Sequence, residues 1–253
     1  MIRNIKTPHL PVGELRHVII GEKYRALLEK PLAALGIIPL WMPNNPYVDA
    51  RLAGHADLSI NKFSKNGAIL SEYIQNSQLF EQLQSLGYEC IFTENAEKPQ
   101  YPYDAGLNVC QIGNTLIYNS RTICEVLNKE LESTATNRID VRQGYTKCAV
   151  CIVNENSIIT QDKAIHSKAT SNGIESLLVS DGIAGLEGFD CGFIGGASFK
   201  INSHQIAFTG TIECSQEKNA IESFLADRGI EAVYLTERKL FDIGSAILLT
   251  EEI

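Results

Sequence analysis

The apolar residues of this chain recur with helical spacing in five separate stretches. In each stretch, apolar positions three or four residues apart form one stripe, as in an amphipathic helix that packs against a core. The predicted helices cover residues 22–35, 76–86, 121–132, 168–179 and 217–228. They begin at intervals of about fifty residues, a period typical of a repeated supersecondary unit.

Each predicted helix is followed by a short strand and then by a β-hairpin. Three of the helices end at a glycine that precedes an apolar run, namely Gly36, Gly87 and Gly229. In the other two units, the strand after the helix is predicted at 138–141 and at 182–183. Asn-Gly and Gly-Asn pairs favour tight hairpin turns. The predicted hairpins join 57–63 to 68–70, 107–112 to 115–118, 148–153 to 157–160, and 193–201 to 205–208.

The fifth unit contains the first hairpin strand, 241–250, but not the second. Residues 15–20, which precede the first helix, can supply the missing strand. Pairing of these two segments would close five units into a ring without an unpaired sheet edge. The pattern therefore predicts one α/β domain over residues 1–253, with five-fold pseudo-symmetry, closed by pairing of its N- and C-terminal strands.

The composition of the chain argues against some classes of binding partner. The chain has 44% hydrophobic and 21% charged residues, as in a soluble globular protein, and a net charge of −8 that disfavours nucleic acid. No apolar run is long enough to span a membrane, the N-terminus lacks the apolar core of a signal peptide, and seven cysteines fit a reducing compartment. We predict a cytoplasmic protein with a small polar molecule as partner, and leave a homodimer open.

Two short segments resemble motifs of a known superfamily. The segment Leu-Glu-Gly-Phe-Asp at 186–190 is similar to a Glu-Gly-Gly-Asp stretch that enters a hairpin, and Tyr-Asn-Ser-Arg-Thr at 118–122 is similar to a Gly-x-Ser-x-Arg-Thr segment. With the repeats, they resemble the pentein superfamily of guanidino-group-modifying enzymes, which are α/β propellers. It includes arginine and agmatine deiminases, dimethylarginine hydrolases, amidinotransferases and a non-enzymatic translation initiation factor.

The resemblance fails at the catalytic positions. The superfamily carries its nucleophilic cysteine on the last strand, where this chain has Gly244, Ile247 or Leu248, depending on the register. Its catalytic histidine lies in the fourth hairpin, where His204 falls in a predicted turn. The resemblance therefore implies the fold and a cationic guanidino or amino ligand at the axial mouth, without the family's cysteine catalysis. Whether the chain is an enzyme stays open.

An aspartate stands at the entry of four predicted hairpins. Such carboxylates can converge on a cation, or each can cap a turn beside a glycine that allows close approach. Period-two alternation also places Asp104, Asn108 and Cys110 on one face of a predicted strand, and Glu187 and Arg121 are candidates for orienting a ligand. The predicted ligand-binding residues are Asp57, Asp104, Asn108, Glu187, Asp190, Asp242 and Arg121.

Two other functions stay open. One is an amidine or amide hydrolase with a displaced nucleophile, Cys110 or Ser245, and His55 or His166 as base. The other is a scaffold protein with no pocket chemistry. We predict no cofactor and no metal, because the Cys-x-x-Cys pair at 148–151 lies in a predicted strand, where residues three apart point to opposite faces.

Overall fold

The computed structural model describes residues 1–132 and 136–253 of the chain. The helices are α1 (Arg25–Ala34), α2 (Gln78–Ser85), α3 (Glu125–Glu132), α4 (Thr146–Ala149), α5 (Lys163–Ser171) and α6 (Ser215–Ala226). The strands are β1 (Ile2–Asn4), β2 (Glu14–Gly21), β3 (Ile38–Met42), β4 (Ile60–Lys62), β5 (Gly67–Ser71), β6 (Glu89–Thr93), β7 (Cys110–Ile112), β8 (Thr115–Tyr118), β9 (Asn137–Asp140), β10 (Val150–Asn154), β11 (Ser157–Thr160), β12 (Glu175–Leu178), β13 (Ser198–Asn202), β14 (Gln205–Phe208), β15 (Glu231–Tyr234) and β16 (Ile247–Glu252).

The described strands form several small sheets with one recurring topology. An antiparallel hairpin leads into a helix, and the strand after that helix returns parallel to the second hairpin strand. The sheet orders are β4-β5-β6, β7-β8-β9, β10-β11-β12, β13-β14-β15 and β1-β16-β2-β3. The predicted α/β unit of hairpin, helix and strand is therefore confirmed.

The two ends of the chain meet in the last of these sheets. Strand β16 lies between β1 and β2 and is antiparallel to both, with Ile247 opposite Ile19. The predicted pairing of the N- and C-terminal strands is confirmed, and β1 adds a strand that the sequence pattern did not predict. The buried carboxylate of Glu251 fixes the segment between β1 and β2, because it accepts hydrogen bonds from the main-chain N–H groups of Val12 and Gly13.

The fourth predicted helix is wrong in position. Helix α5 begins at Lys163, because the carboxylate of Asp162 accepts the N–H groups of Ala164 and Ile165 and so caps it. It ends before Gly173, whose φ of +81° favours glycine. The residues predicted as its second half form strand β12 instead, and the strand predicted at 182–183 is not there.

The first hairpin strands start later than predicted. The first hairpin strand of each unit begins after a turn whose residues the sequence pattern assigns to the strand; these strands are β4, β7, β10, β13 and β16. A 3-10 turn, Ala56–Leu58, precedes β4, and helix α4 precedes β10. The alternation predicted for Asp104 and Asn108 is therefore wrong, since both lie in the turn before β7.

Helices α2, α3 and α6 bury apolar residues of the stripes that the sequence predicts. Pairs of apolar residues four apart face the core, among them Leu79 and Leu83 on α2 and Ile221 and Leu225 on α6. They pack on the strands of their own and neighbouring sheets. None of the helices in residues 1–132 and 136–253 has the length and apolar character that crossing a membrane requires.

Candidate functional site

A pocket of about 360 Å³ opens where turns from different repeat units meet. Its exposed rim carries aromatic rings, among them Tyr101 and Phe189, and its inner end carries three buried ionisable residues. We call these three residues, His55, Cys148 and Asp242, the pocket floor. The complete lining is Leu52, His55, Leu58, Tyr101, Gln143, Tyr145, Cys148, Leu186, Phe189, Cys191, Phe193 and Asp242.

Main-chain hydrogen bonds join the turns that carry the floor. The N–H of Asp57 donates to the carbonyl of Gly244 at 3.1 Å, and the N–H of Gly196 donates to the carbonyl of Cys148 at 2.8 Å. The carbonyl of Gly196 in turn accepts the N–H groups of Ile243 and Ser245. Four segments far apart in sequence are thus held together by backbone contacts, so the side chains of the floor have fixed positions.

The thiol of Cys148 is held between an amide and a carboxylate. Its Sγ donates to Asp57 Oδ2 at 2.8 Å and lies 3.6 Å from Asn108 Nδ2. Asn108 Oδ1 accepts the main-chain N–H groups of Lys147 and Cys148, and so fixes the turn of α4. Burial raises the pKa of the Cys148 thiol well above its ordinary value, and the charges of Asp57 and Asp242 raise this pKa further.

Asp57 and His55 keep unused hydrogen-bonding capacity. Asp57 Oδ2 also accepts the hydroxyl of Ser245 at 2.7 Å, whereas Asp57 Oδ1 and His55 Nε2 have no partner among the described residues. Burial raises the pKa of Asp57 and lowers the pKa of His55 to about 4, although the Asp57 charge opposes the second shift. Buried polar atoms without partners are uncommon, and a ligand can supply what is missing.

Asp242 is held by backbone donors at a crowded position. Its Oδ2 accepts the N–H of Phe193 and its Oδ1 accepts the N–H of Gly244, both at 2.8 Å. A Cβ atom on Gly196 would overlap this carboxylate, so glycine is required there. Burial raises the pKa of Asp242 to about 6, because the loss of hydration outweighs the two N–H donors and the charge of Lys147.

Asp104 and Ser245 also lie next to the pocket without lining it, as Asp57 and Asn108 do. Asp104 accepts the hydroxyl of Tyr145 on both carboxylate oxygens, at 2.8 and 2.9 Å, and burial raises its pKa. Ser245 lies behind the floor with no exposed surface, where its hydroxyl also takes a hydrogen bond from the Lys147 ammonium at 3.2 Å. Its φ of +63° is uncommon outside glycine and belongs to the tight turn before β16.

The remaining predicted residues lie outside the lining of this pocket, although Glu187 lines a second cavity that includes Asp242. Glu187 and Asp190 are exposed on the loop that carries Leu186 and Phe189. Arg121 is exposed in a separate cleft and precedes α3, which starts at Glu125 rather than at 121 as predicted.

Two candidates for the displaced-nucleophile chemistry lie away from the pocket. His166 is on α5 and pairs with the hydroxyl of Ser176. Cys110 is wholly buried in the core, which raises the pKa of its thiol to about 12.

Sequence reasoning missed Cys148 because it placed the residue inside a strand. The position of Cys148 within its repeat unit indicates where it lies. Asn108, Cys148, Gly196 and Ser245 each stand two residues ahead of the first hairpin strand of their units. The same position in successive units meets at one place in the molecule, so a thiol there belongs beside the predicted Asn108.

Comparison with solved structures identifies the fold. An amidinotransferase of the saxitoxin biosynthetic pathway from Microseira wollei matches with a TM-score of 0.58 and 9% identity, over 90% of this chain and 91% of that one. Inosamine-phosphate amidinotransferase from Streptomyces griseus matches with a TM-score of 0.56 and 13% identity, over 98% of this chain and 97% of that one. Dimethylarginine dimethylaminohydrolase from Pseudomonas aeruginosa matches with a TM-score of 0.55 and 11% identity, over 95% of this chain and 100% of that one. At these identities the likeness shows the fold, and the predicted pentein resemblance is confirmed.

Sequence comparison adds the family. A search of the curated proteins finds no match to this chain. One family model matches residues 19–247, which include every residue of the pocket lining. The chain therefore belongs to that family, which is described as a family of unknown function, DUF6873.

Proposed function

We propose that this chain binds a small molecule with a cationic guanidino or amino group in the pocket above Asp242. One observation carries the proposal: the buried carboxylate of Asp242 lies at the inner end of a largely apolar pocket, and a second buried carboxylate, Asp57, accepts the thiol of the lining residue Cys148. No lysine or arginine is among the described residues that line it. The buried ammonium of Lys147 donates to Ser245 behind the floor.

The energetic argument rests on desolvation. Burial raises the pKa of Asp57 and Asp242, so ionisation of either carboxylate in the folded chain costs free energy. A cation that enters the pocket and pairs with a carboxylate would lower this cost. The rings of Tyr145 and Phe193 lie in the same lining and can face an organic cation, an arrangement that favours binding.

The arrangement of the sheets also belongs to this proposal. The recurring unit and the pairing of β2 with β16 support five sheets that stand as blades around one axis in a single domain, with the pocket at its mouth. The likeness to amidinotransferases, dimethylarginine dimethylaminohydrolase and an agmatine deiminase supports a guanidino ligand. The seven free cysteines support a cytoplasmic location.

A second candidate function is hydrolysis of an amidine, with Cys148 as the displaced nucleophile. The two nucleophiles that the sequence suggests, Cys110 and Ser245, lie outside the pocket lining, whereas Cys148 lies in it with His55. In this reaction the Cys148 sulfur would attack the amidine carbon and His55 Nε2 would take the thiol proton. An amine would leave with that proton, and water would then release the product and restore the thiol.

Binding can be tested by thermal shift and titration calorimetry with matched ligands. Arginine and agmatine carry the guanidinium, and citrulline replaces it with a neutral urea of nearly the same shape. We expect a guanidino compound, and not citrulline, to raise the melting temperature. Asp242→Asn should weaken binding by at least about 30-fold, while exposed Asp190→Asn should leave it unchanged.

The proposal fails if citrulline stabilises the protein as well as arginine does, or if no guanidino or amino compound shifts the melting temperature. Assay of amine release with wild type and Cys148→Ser separates the two functions. Release that Cys148→Ser abolishes supports hydrolysis, and ligand binding without release supports a binding protein.

A further inference from the structure

Three metal-binding side chains converge at and behind the pocket floor. His55, Asp57 and Cys148 each offer one ligand atom, and these atoms all lie within 4.8 Å of one another. The three residues come from the turn before β4 and from α4, which the main chain joins through Gly244 and Gly196. Their exposures are 3%, 1% and 3%, so bulk water does not solvate them.

A second observation points to a missing partner at the same place. His55 Nε2 and Asp57 Oδ1 are buried and have no hydrogen-bond partner among residues 1–132 and 136–253. A buried nitrogen lone pair and a buried carboxylate oxygen are costly to leave unpaired. A cation bound among the three residues would give these two buried groups a partner, because one ligand atom from each residue, the Cys148 sulfur among them, lies within 4.8 Å of the others.

The donor set selects the kind of ion. Imidazole nitrogen and thiolate sulfur favour zinc and related late transition metals, whereas magnesium and calcium require mostly oxygen ligands. A thiolate and a carboxylate together balance the charge of one divalent cation. Three protein ligands leave one position of a tetrahedral zinc site open, and His55 and Cys148 both line the pocket, so that position would face it.

The surroundings already orient the three ligands. Asn108 holds the turn of Cys148 through two main-chain N–H groups, and the Ser245 hydroxyl donates to Asp57 Oδ2. Contacts of this kind in the outer shell of metal sites fix ligand geometry. Binding would break the hydrogen bond from Cys148 Sγ to Asp57, and the thiol proton would leave to solvent as the sulfur–metal bond forms.

We propose that His55, Asp57 and Cys148 bind one divalent ion of the zinc class, with the fourth coordination position open to the pocket. This proposal goes beyond the proposed function, because it needs no organic ligand. The ion and an organic cation would be alternative occupants, since both would place positive charge at the buried inner end of the same pocket.

The test uses metal alone on the full chain. Chelator-treated protein is titrated with zinc by calorimetry, and with cobalt by absorption spectroscopy, where a thiolate ligand gives a sulfur-to-cobalt charge-transfer band. We expect one ion per chain, a higher melting temperature with zinc, and the thiolate band. Cys148→Ser should remove the band and weaken zinc binding by more than the roughly 10–100-fold typical of an outer-shell change.

The controls address folding and other thiols. Cys214→Ser changes an exposed cysteine outside the pocket lining and should keep both the band and the affinity. If Cys148→Ser does not fold, His55→Gln replaces it as the test. This variant should lose as much zinc affinity as is expected for Cys148→Ser, and its thiolate band should remain but become weaker or shift in wavelength. A folded wild type without the band, a band that persists in Cys148→Ser, or equal affinity for magnesium and zinc would overturn the proposal.

Discussion

Buried ionisable side chains occur in two regions of this molecule, on the hairpin strands and at the pocket floor. On the strands, the Lys62 ammonium donates to the carbonyl of Ile5, and the Lys200 ammonium donates to the carbonyls of Val153 and Ser203. Burial lowers the pKa of Lys62 to about 7 and that of Lys200 to about 8. At and behind the floor, His55 and Asp57 are buried to the same degree, yet each keeps an unpartnered atom.

This difference is the one expected between a buried charge that joins parts of the fold and a buried charge that is available to a ligand. Each lysine connects its hairpin to another segment: Lys62 reaches the segment after β1, and Lys200 reaches β10 of the preceding unit. The polar atoms of the floor make no such connection with their free lone pairs. Desolvation acts on both regions, so a shifted pKa does not distinguish them, whereas unused hydrogen-bonding capacity does.

The largest expected effect comes from crowding the floor. In Gly196→Ala the new methyl group would overlap the Asp242 carboxylate and push it away from its N–H donors. We expect a loss of about 3 kcal/mol in the free energy of unfolding, measured by urea denaturation, and loss of ligand-induced stabilisation. Gly173→Ala, which meets no atom within 4 Å but has a φ of +81°, should cost about 1 kcal/mol. Equal costs would contradict a crowded floor.

The strand region should show its own pH dependence. The pKa of Lys62 is about 7 in the folded chain and near 10.5 when unfolded, so the unfolded state binds more protons between these values. The burial cost is therefore complete below pH 7 and fades towards pH 10.5. Stability of the wild type should rise with pH relative to Lys62→Met, by up to about 1.4 kcal/mol per pH unit. Parallel stability curves from pH 7 to 9 would show that burial does not lower the pKa of Lys62.

The floor should respond to pH with opposite signs for binding and stability. The pKa of Asp242 is about 6 in the folded chain and 3.8 ordinarily, so the folded state holds this proton more tightly and Asp242 favours folding as pH falls below 6. A cation needs the ionised form, so its affinity should fall about tenfold per unit below pH 6. Calorimetry from pH 7 to 5 measures this, with Asp242→Asn as the control that should remove the dependence. A flat wild-type profile would exclude Asp242 as the partner.

The smallest expected effect concerns the rim. Arg51 donates to the carbonyl of Gly188 and lies over the ring of Phe189, 4.2 Å from its centre, which holds the loop at the pocket edge. The contact is exposed to solvent, so Arg51→Ala should weaken ligand binding by about 2- to 5-fold and leave the fold intact. Glu29→Ala, at an exposed ion pair on α1, should change nothing. A loss as large as that of Asp242→Asn would place binding at the rim.

The local sequence pattern predicts the repeated helices and strands. The strand starts and the way the residues of the site come together depend on tertiary contacts, so the pattern does not predict them. The helix stripes, the glycine stops and the Gly-Asn turn at 113–114 depend on neighbours in sequence, and the structure contains them. The predicted two-residue Asn-Gly turn is wrong, because its glycine is the first residue of β5. The turns before the hairpins were predicted as strand because their apolar residues continue the strand pattern. Cys148 and Asp57 meet through main-chain bonds between distant turns, and no local pattern records such bonds. Arg121 and His166 have suitable chemistry but lie away from the pocket lining.

The position of β16 has a consequence for how the chain folds during synthesis. This strand lies between β1 and β2, although it leaves the ribosome after the other described strands. Until then β1 and β2 have no partner on that side, while the hairpins of the four middle sheets need only nearby sequence. We expect those sheets to form first on the nascent chain and the first-made strands to wait longest, because contacts between distant residues form slowly.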